Sequence, residues 1–181
     1  MPVSVSEQVL DDLKIIFSQI KEEEIKGLKN LIYQSERLFF AGTGRSKLML
    51  KAAAMRFMQF GYQVYLIGET NTPAFKEDDL LIAASGSGET KSTILYIENA
   101  KKIGGKTAAF TASIDSTVSH LADQVIEIPV NRLISSEKRL IPGGSFFEQA
   151  LLILGDSLIV SIAEEKGIKT EKLFERHANL E

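Results

Sequence analysis

Residues 37–46 read RLFFAGTGRS and residues 80–90 read LLIAASGSGET. Each is a short apolar run that ends in glycine and hydroxyl residues and opens directly into a stretch with helical periodicity. A strand that is apolar on both faces needs cover on both, which is the condition of a parallel sheet held between helices. Three further runs share this character: 63–68 (QVYLIG), 107–112 (TAAFTA) and 124–129 (QVIEIP). Helical patterns or helix-start signals fill 46–60, 90–103 and 116–122. The alternation predicts right-handed βαβ units and an α/β fold: a three-layer αβα sandwich around a five-stranded parallel sheet of order 2-1-3-4-5.

Working outward, residues 4–34 read as one leading helix or two, the glycine at 27 offering a break. Residues 146–165 and 170–177 read as closing helices. The longest irregular stretch is 131–144, the kind of loop that often carries function. Neither a repeat nor a Pro/Ser-rich linker divides the 181 residues, so a single domain over 1–181 is expected. Two helices are unusually apolar, at 48–60 (LMLKAAAMRFMQF) and 146–163. A helix apolar nearly all round must be covered on more than one side. Homo-oligomerisation is the simplest cover, and packing by the leading helices is the alternative.

Composition narrows the partners. With 24 acidic and 21 basic residues the net charge is -3, so no general attraction to nucleic acid or anionic lipid is expected. Cysteine is absent and the two histidines, His120 and His177, stand far apart, so no disulfide, thiolate chemistry or zinc site is expected. The opening residues MPVSVSEQVLDDL lack the regions of a signal peptide, and no apolar run reads as a membrane span. A cytoplasmic protein with a small-molecule partner is the expectation.

The two glycine-rich turns point to what that partner carries. Gly42-Thr43-Gly44-Arg45-Ser46 and Ser85-Gly86-Ser87-Gly88-Glu89-Thr90 both lie at the carboxyl edge of the predicted sheet. There glycine admits a ligand to the backbone, the following helix offers unpaired N–H groups, and Ser and Thr add donors. In the order 2-1-3-4-5, the helices after strands one and three leave on opposite faces and open a crevice between those two turns. The candidate phosphate-binding residues are Gly44, Arg45, Ser46, Ser85, Ser87 and Thr90. The plain alternative for each turn is a tight bend with a helix N-cap. Nucleotide readings fit less well. Gly42-x-Gly44 with Glu69 beyond the second strand imitates a dinucleotide fingerprint, but Lys47 stands where the third glycine belongs. Residues 86–92 (GSGETKS) are one residue short of a Walker A loop and lack the glycine before the lysine.

Taken with GETNTPA (68–74), PGGSFFEQALL (142–152) and RHANLE (176–181), these turns make the chain resemble the 6-phospho-3-hexuloisomerases, members of the SIS group of sugar-isomerase domains, over essentially its whole length. The resemblance implies interconversion of D-arabino-hex-3-ulose 6-phosphate and D-fructose 6-phosphate in the ribulose monophosphate route of formaldehyde fixation. It also implies a homo-oligomer, commonly a tetramer, with sites near subunit boundaries. Other aldose–ketose phosphate isomerases and non-catalytic sugar-phosphate sensors share the turns. The reaction removes the C2 proton, passes through a cis-enediolate and returns a proton to C3, which one base can do without metal or organic cofactor. Phosphate on O6 blocks the usual five-membered ring of the 3-ketose, so ring opening is not demanded. By resemblance, Glu148 is the candidate base and His177 the candidate shuttle for hydroxyl and carbonyl protons. Residues 145–148 (SFFE) also read as a capping box, and a lone terminal histidine reads equally as a cap or surface residue.

Overall fold

The computed structural model describes residues 2–130, 145–168 and 175–180. Two helices lead, α1 (Pro2–Ser18) and α2 (Glu22–Gln34). The sheet units follow as β1 (Arg37–Gly42), α3 (Gly44–Phe60), β2 (Gln63–Leu66), β3 (Asp79–Ala84), α4 (Lys91–Ile103), β4 (Lys106–Thr111), α5 (Thr117–Leu121) and β5 (Gln124–Glu127). A long helix, α6 (Ser145–Glu165), comes last. All strand pairs are parallel and the order is β2-β1-β3-β4-β5, as expected.

Period-two alternation on the central strands splits the core in two. Leu38, Phe40, Leu80 and Ile82 face one layer, with Leu50 and Phe57 of α3 and Phe147, Leu151 and Ile162 of α6. Phe39, Ala41, Leu81 and Ala83 face the other, with Ile97 of α4 and Val118 of α5. Helices α3 and α4, which follow β1 and β3, therefore leave on opposite faces, and the carboxyl ends of β1 and β3 meet at the switch point. Helices α3 and α6 approach so closely that a Cβ at Gly155 would lie 2.7 Å from the Ala53 Cβ.

One expectation is corrected. Gly27 does not break a helix: α2 runs through it, and the glycine is there because Gln124 of β5 fills the space, its Oε1 2.0 Å from where a Cβ would sit. The break falls at residues 19–21, and α2 begins on three glutamates, Glu22 to Glu24, whose charge suits a helix N-terminus. Helix α6, at 21 residues, is long and apolar enough to cross a membrane by length and composition alone. In this fold it is a core helix, with Phe146, Phe147, Ala150, Leu151, Leu158, Ile159 and Ile162 buried. The loop expected at 131–144 lies outside the described residues. So does most of the helix expected at 170–177, whose last residues, 175–177, form turns and a bend.

The leading helices are fastened to α6 by a polar clasp. Lys29, 8% exposed, donates to Ser161 Oγ and Glu165 Oε1, both at 2.6 Å, while Tyr33 donates its hydroxyl to Glu165 Oε2 at 2.5 Å. Hydrogen bonds from Lys29, then Tyr33, hold the Glu165 carboxyl below its usual 4.5, and burial together with Glu165 pushes the Tyr33 phenol up to about 12. A lowered carboxylate contributes stability above its unfolded pKa and loses it as pH falls through the folded value. Glu165→Gln is therefore expected to unfold at lower urea than wild type at neutral pH, with the gap closing as pH drops below 4.5. A gap that persists in acid would show that the clasp works through packing instead.

Cover on α3 and α6 is incomplete within one chain. Leu48, Met55 and Met58 of α3 and Ile153 and Val160 of α6 remain 40–57% exposed.

Candidate functional site

The two turns lie side by side at the switch point: Thr43 Oγ1 and Ser92 Oγ, one on each turn's exit, approach to 3.4 Å. Thr43 and Thr90 occupy the N-cap positions of α3 and α4, yet neither side chain caps its helix. Within the same sheet, Ser116 does cap α5, its Oγ accepting from the Ser119 N–H at 3.4 Å. The N-cap explanation that fits α5 thus does not hold for Thr43 or Thr90.

Gly44 needs its left-handed backbone, φ +56°, but no atom lies within 4 Å of where a Cβ would sit, so open space fronts the turn. Arg45 is exposed and Ser46 half-buried in the first turn of α3. In the second turn Ser85 is buried, Thr90 half-buried and Ser87 exposed. Ser85 Oγ accepts the Gly88 N–H at 3.1 Å and lies 2.8 Å from Thr90 Oγ1. Either hydroxyl can donate in that contact; when Ser85 does, the Thr90 proton is left for another acceptor. Ser87 Oγ accepts the Glu89 N–H at 3.2 Å and likewise keeps its own proton. A phosphate only accepts hydrogen bonds, so outward hydroxyl protons beside helix N-termini suit it.

Glu148 joins this cluster from α6. Its carboxylate, 13% exposed, pairs with Arg45 Nε across 103 residues of sequence. Next to it, the Phe147 ring packs on Gly86, 3.3 Å from where a Cβ would be, which holds the start of α6 against the second turn and leaves little room for a side chain at 86. Arg45, Glu148 and both turns therefore lie together at the switch point.

His177 is placed differently. The guanidinium of its neighbour Arg176 covers Gly61, at the carboxyl end of α3, where a Cβ would come within 2.0 Å of Nη1. Arg45 sits at the opposite end of that 17-residue helix, about 25 Å away. The exposed His177 ring contacts the Ala178 carbonyl at 3.3 Å and does not join Glu148 of its own chain. Lys47 donates to the Ile67 carbonyl at 3.1 Å, and Lys51 pairs with Glu69 at 2.6 Å, holding that carboxyl below its usual range. These two lysines brace the segment after β2 against α3. His120 is exposed on α5.

Sequence reading missed Thr43 and Ser92 as the link between the turns. Their one signal was a hydroxyl on each turn's exit.

Comparison with known proteins agrees with this architecture. The SIS domain model matches residues 31–143. The chain is 41% identical over 177 residues to the 3-hexulose-6-phosphate isomerase of Bacillus subtilis (strain 168), covering 96% of each. It is 39% identical to that of Mycobacterium gastri, covering 96% of this chain and 88% of that one. A crystal structure of a Methanococcus jannaschii protein, from which a 3-hexulose-6-phosphate isomerase function was inferred, superposes with a TM-score of 0.81 at 32% identity, covering 98% and 97%. A parallel sheet in the order 2-1-3-4-5, two hydroxyl-rich turns at its switch point and kinship along almost the whole chain agree, and the protein belongs to the SIS domain family, among the 3-hexulose-6-phosphate isomerases.

Proposed function

We propose that this chain interconverts D-arabino-hex-3-ulose 6-phosphate and D-fructose 6-phosphate. The observation that carries the reading is the cluster at the switch point: two helix N-termini whose N-cap threonines do not cap them, and beside them a largely buried carboxylate on α6 paired with Arg45. The phosphate is held by Ser87, Thr90 and the first-turn N–H groups of α4, with Gly44, Arg45 and Ser46 bordering the sugar. Glu148 takes the C2 proton, and the resulting cis-enediolate is protonated at C3 by the same group. Arg45 holds the carboxylate in position and lies where a cation stabilises negative charge developing on the enediolate oxygens.

The protein works as a homo-oligomer in the cytoplasm, serving the ribulose monophosphate route. Support for assembly comes from the apolar stripe of Leu48, Met55, Met58, Ile153 and Val160. If His177 serves a site, as the resemblance implies, its distance from Glu148 of its own chain also favours assembly.

The test is a coupled assay of fructose 6-phosphate formation from hex-3-ulose 6-phosphate. Wild type should turn over. Ser87→Ala and Thr90→Val should each raise KM about tenfold or more, the loss expected when a hydrogen bond to a charged group is removed. Saturable binding without product would make the chain a sensor; no binding would remove the sugar-phosphate reading.

A further inference from the structure

Glu89 stands in the middle of the second turn, where a carboxylate ought to repel a phosphate. Its side chain is turned away. Oε1 accepts the Thr117 N–H at 2.7 Å and Oε2 accepts the Thr117 hydroxyl at 2.8 Å, so both oxygens are engaged by the first residue of α5. The turn is keyed to α5 at a second point, since the Gly88 carbonyl accepts the Val118 N–H at 3.0 Å. At a third, Ser116 Oγ lies 1.9 Å from where a Cβ at Gly88 would sit, with Gly88 at φ +70°. Ser116 is itself fixed, donating to the Ser113 carbonyl at 2.7 Å. Helix α5 is thus a rigid abutment for the turn, and Glu89 is its only side-chain tie among the described residues that reaches across from the turn.

That tie bears on phosphate binding directly. The Glu89 N–H holds Ser87 Oγ, and Glu89 immediately precedes Thr90, so rotation of this one residue displaces both candidate donors.

Resting on the reading of this turn as the phosphate seat, we propose that Glu89 is a positioning residue. Its carboxylate latches α5, setting the geometry of the Ser87 and Thr90 hydroxyls, and carries its own negative charge away from the bound phosphate. Independently of the ligand, the hydrogen bonds from Thr117 hold the Glu89 carboxyl below its usual range, as a latch through an ionised group requires.

The experiment measures KM for hex-3-ulose 6-phosphate, kcat, the inhibition constant of inorganic phosphate and the unfolding midpoint. Glu89→Ala is expected to raise KM and the phosphate constant together by roughly tenfold, the scale of one charge-assisted hydrogen bond. Its kcat should stay within about twofold, and its midpoint should fall only slightly, because the exposed Glu89–Thr117 bonds are screened by solvent. Glu89→Gln, which keeps one acceptor for Thr117, should recover part of the loss. Thr117→Val should show a smaller loss, and the double variant Glu89→Ala with Thr117→Val should be no worse than Glu89→Ala alone. Unchanged KM in Glu89→Ala, or losses that multiply in the double variant, overturn the latch. Thr90→Val is the control on the reading beneath it. If Thr90→Val leaves the phosphate constant unmoved, the turn is not the seat and both fall; if it moves while Glu89→Ala does not, only the latch falls.

Discussion

Glu148→Gln is expected to lower kcat for hex-3-ulose 6-phosphate by about 10²–10⁴-fold, the usual contribution of a positioned general base. KM should change far less, since in the proposed function the phosphate is held by the turns and not by α6. The substitution is nearly isosteric, and its remaining carbonyl can still accept from Arg45, so the fold should survive. Arg45→Gln serves as the partner experiment: it leaves the carboxylate present but loosely held and should cost activity without abolishing it. A Glu148→Gln enzyme within threefold of wild type would take Glu148 out of the chemistry and return residues 145–148 to the capping-box reading.

Asp79→Ala should be the most damaging change for stability. Asp79, 1% exposed, accepts from Arg37 Nε at 2.7 Å, Arg37 Nη2 at 2.6 Å and the Lys76 N–H at 2.6 Å, at the register point where β1 and β3 pair. Arg37 also lies over the Phe39 and Tyr65 rings and donates to the Ala74 carbonyl at 3.0 Å. Removing one partner leaves a guanidinium that is only 13% exposed without its counter-charge. Breaking such a pair costs about 3–5 kcal/mol, or about 10 °C in unfolding midpoint for a chain of this size. Asp79→Asn should lose less, because its oxygen can still accept. A midpoint shift under about 2 °C for Asp79→Ala would mean the strands are held in register by packing alone.

How far the molecule was legible follows from where each signal resides. Strand order and layers could be read because β1 and β3 are apolar on both faces and run straight into glycine turns, which is local information. The start of α2 was equally local, written in Glu22 to Glu24, but Gly27 drew attention because glycine usually weakens a helix. Its real cause, contact with Gln124, is separated from it by 97 residues and could not be read from the chain. The site divides in the same way. Its hydroxyl turns were visible in sequence, whereas the Arg45–Glu148 pair and the packing of Phe147 on Gly86 exist only once α6 is laid across α3. Glu148 was reachable by resemblance, as was His177. The contact of Arg176 with Gly61 then set that histidine at the far end of α3.

The fit of Ser116 into the missing side chain of Gly88 means that SGSGET is no portable cassette. Grafted alone onto another parallel sheet, it would lose the mould that shapes it. A chimera between two such domains should therefore place its crossover beyond residue 121, so that turn and mould are inherited from one parent.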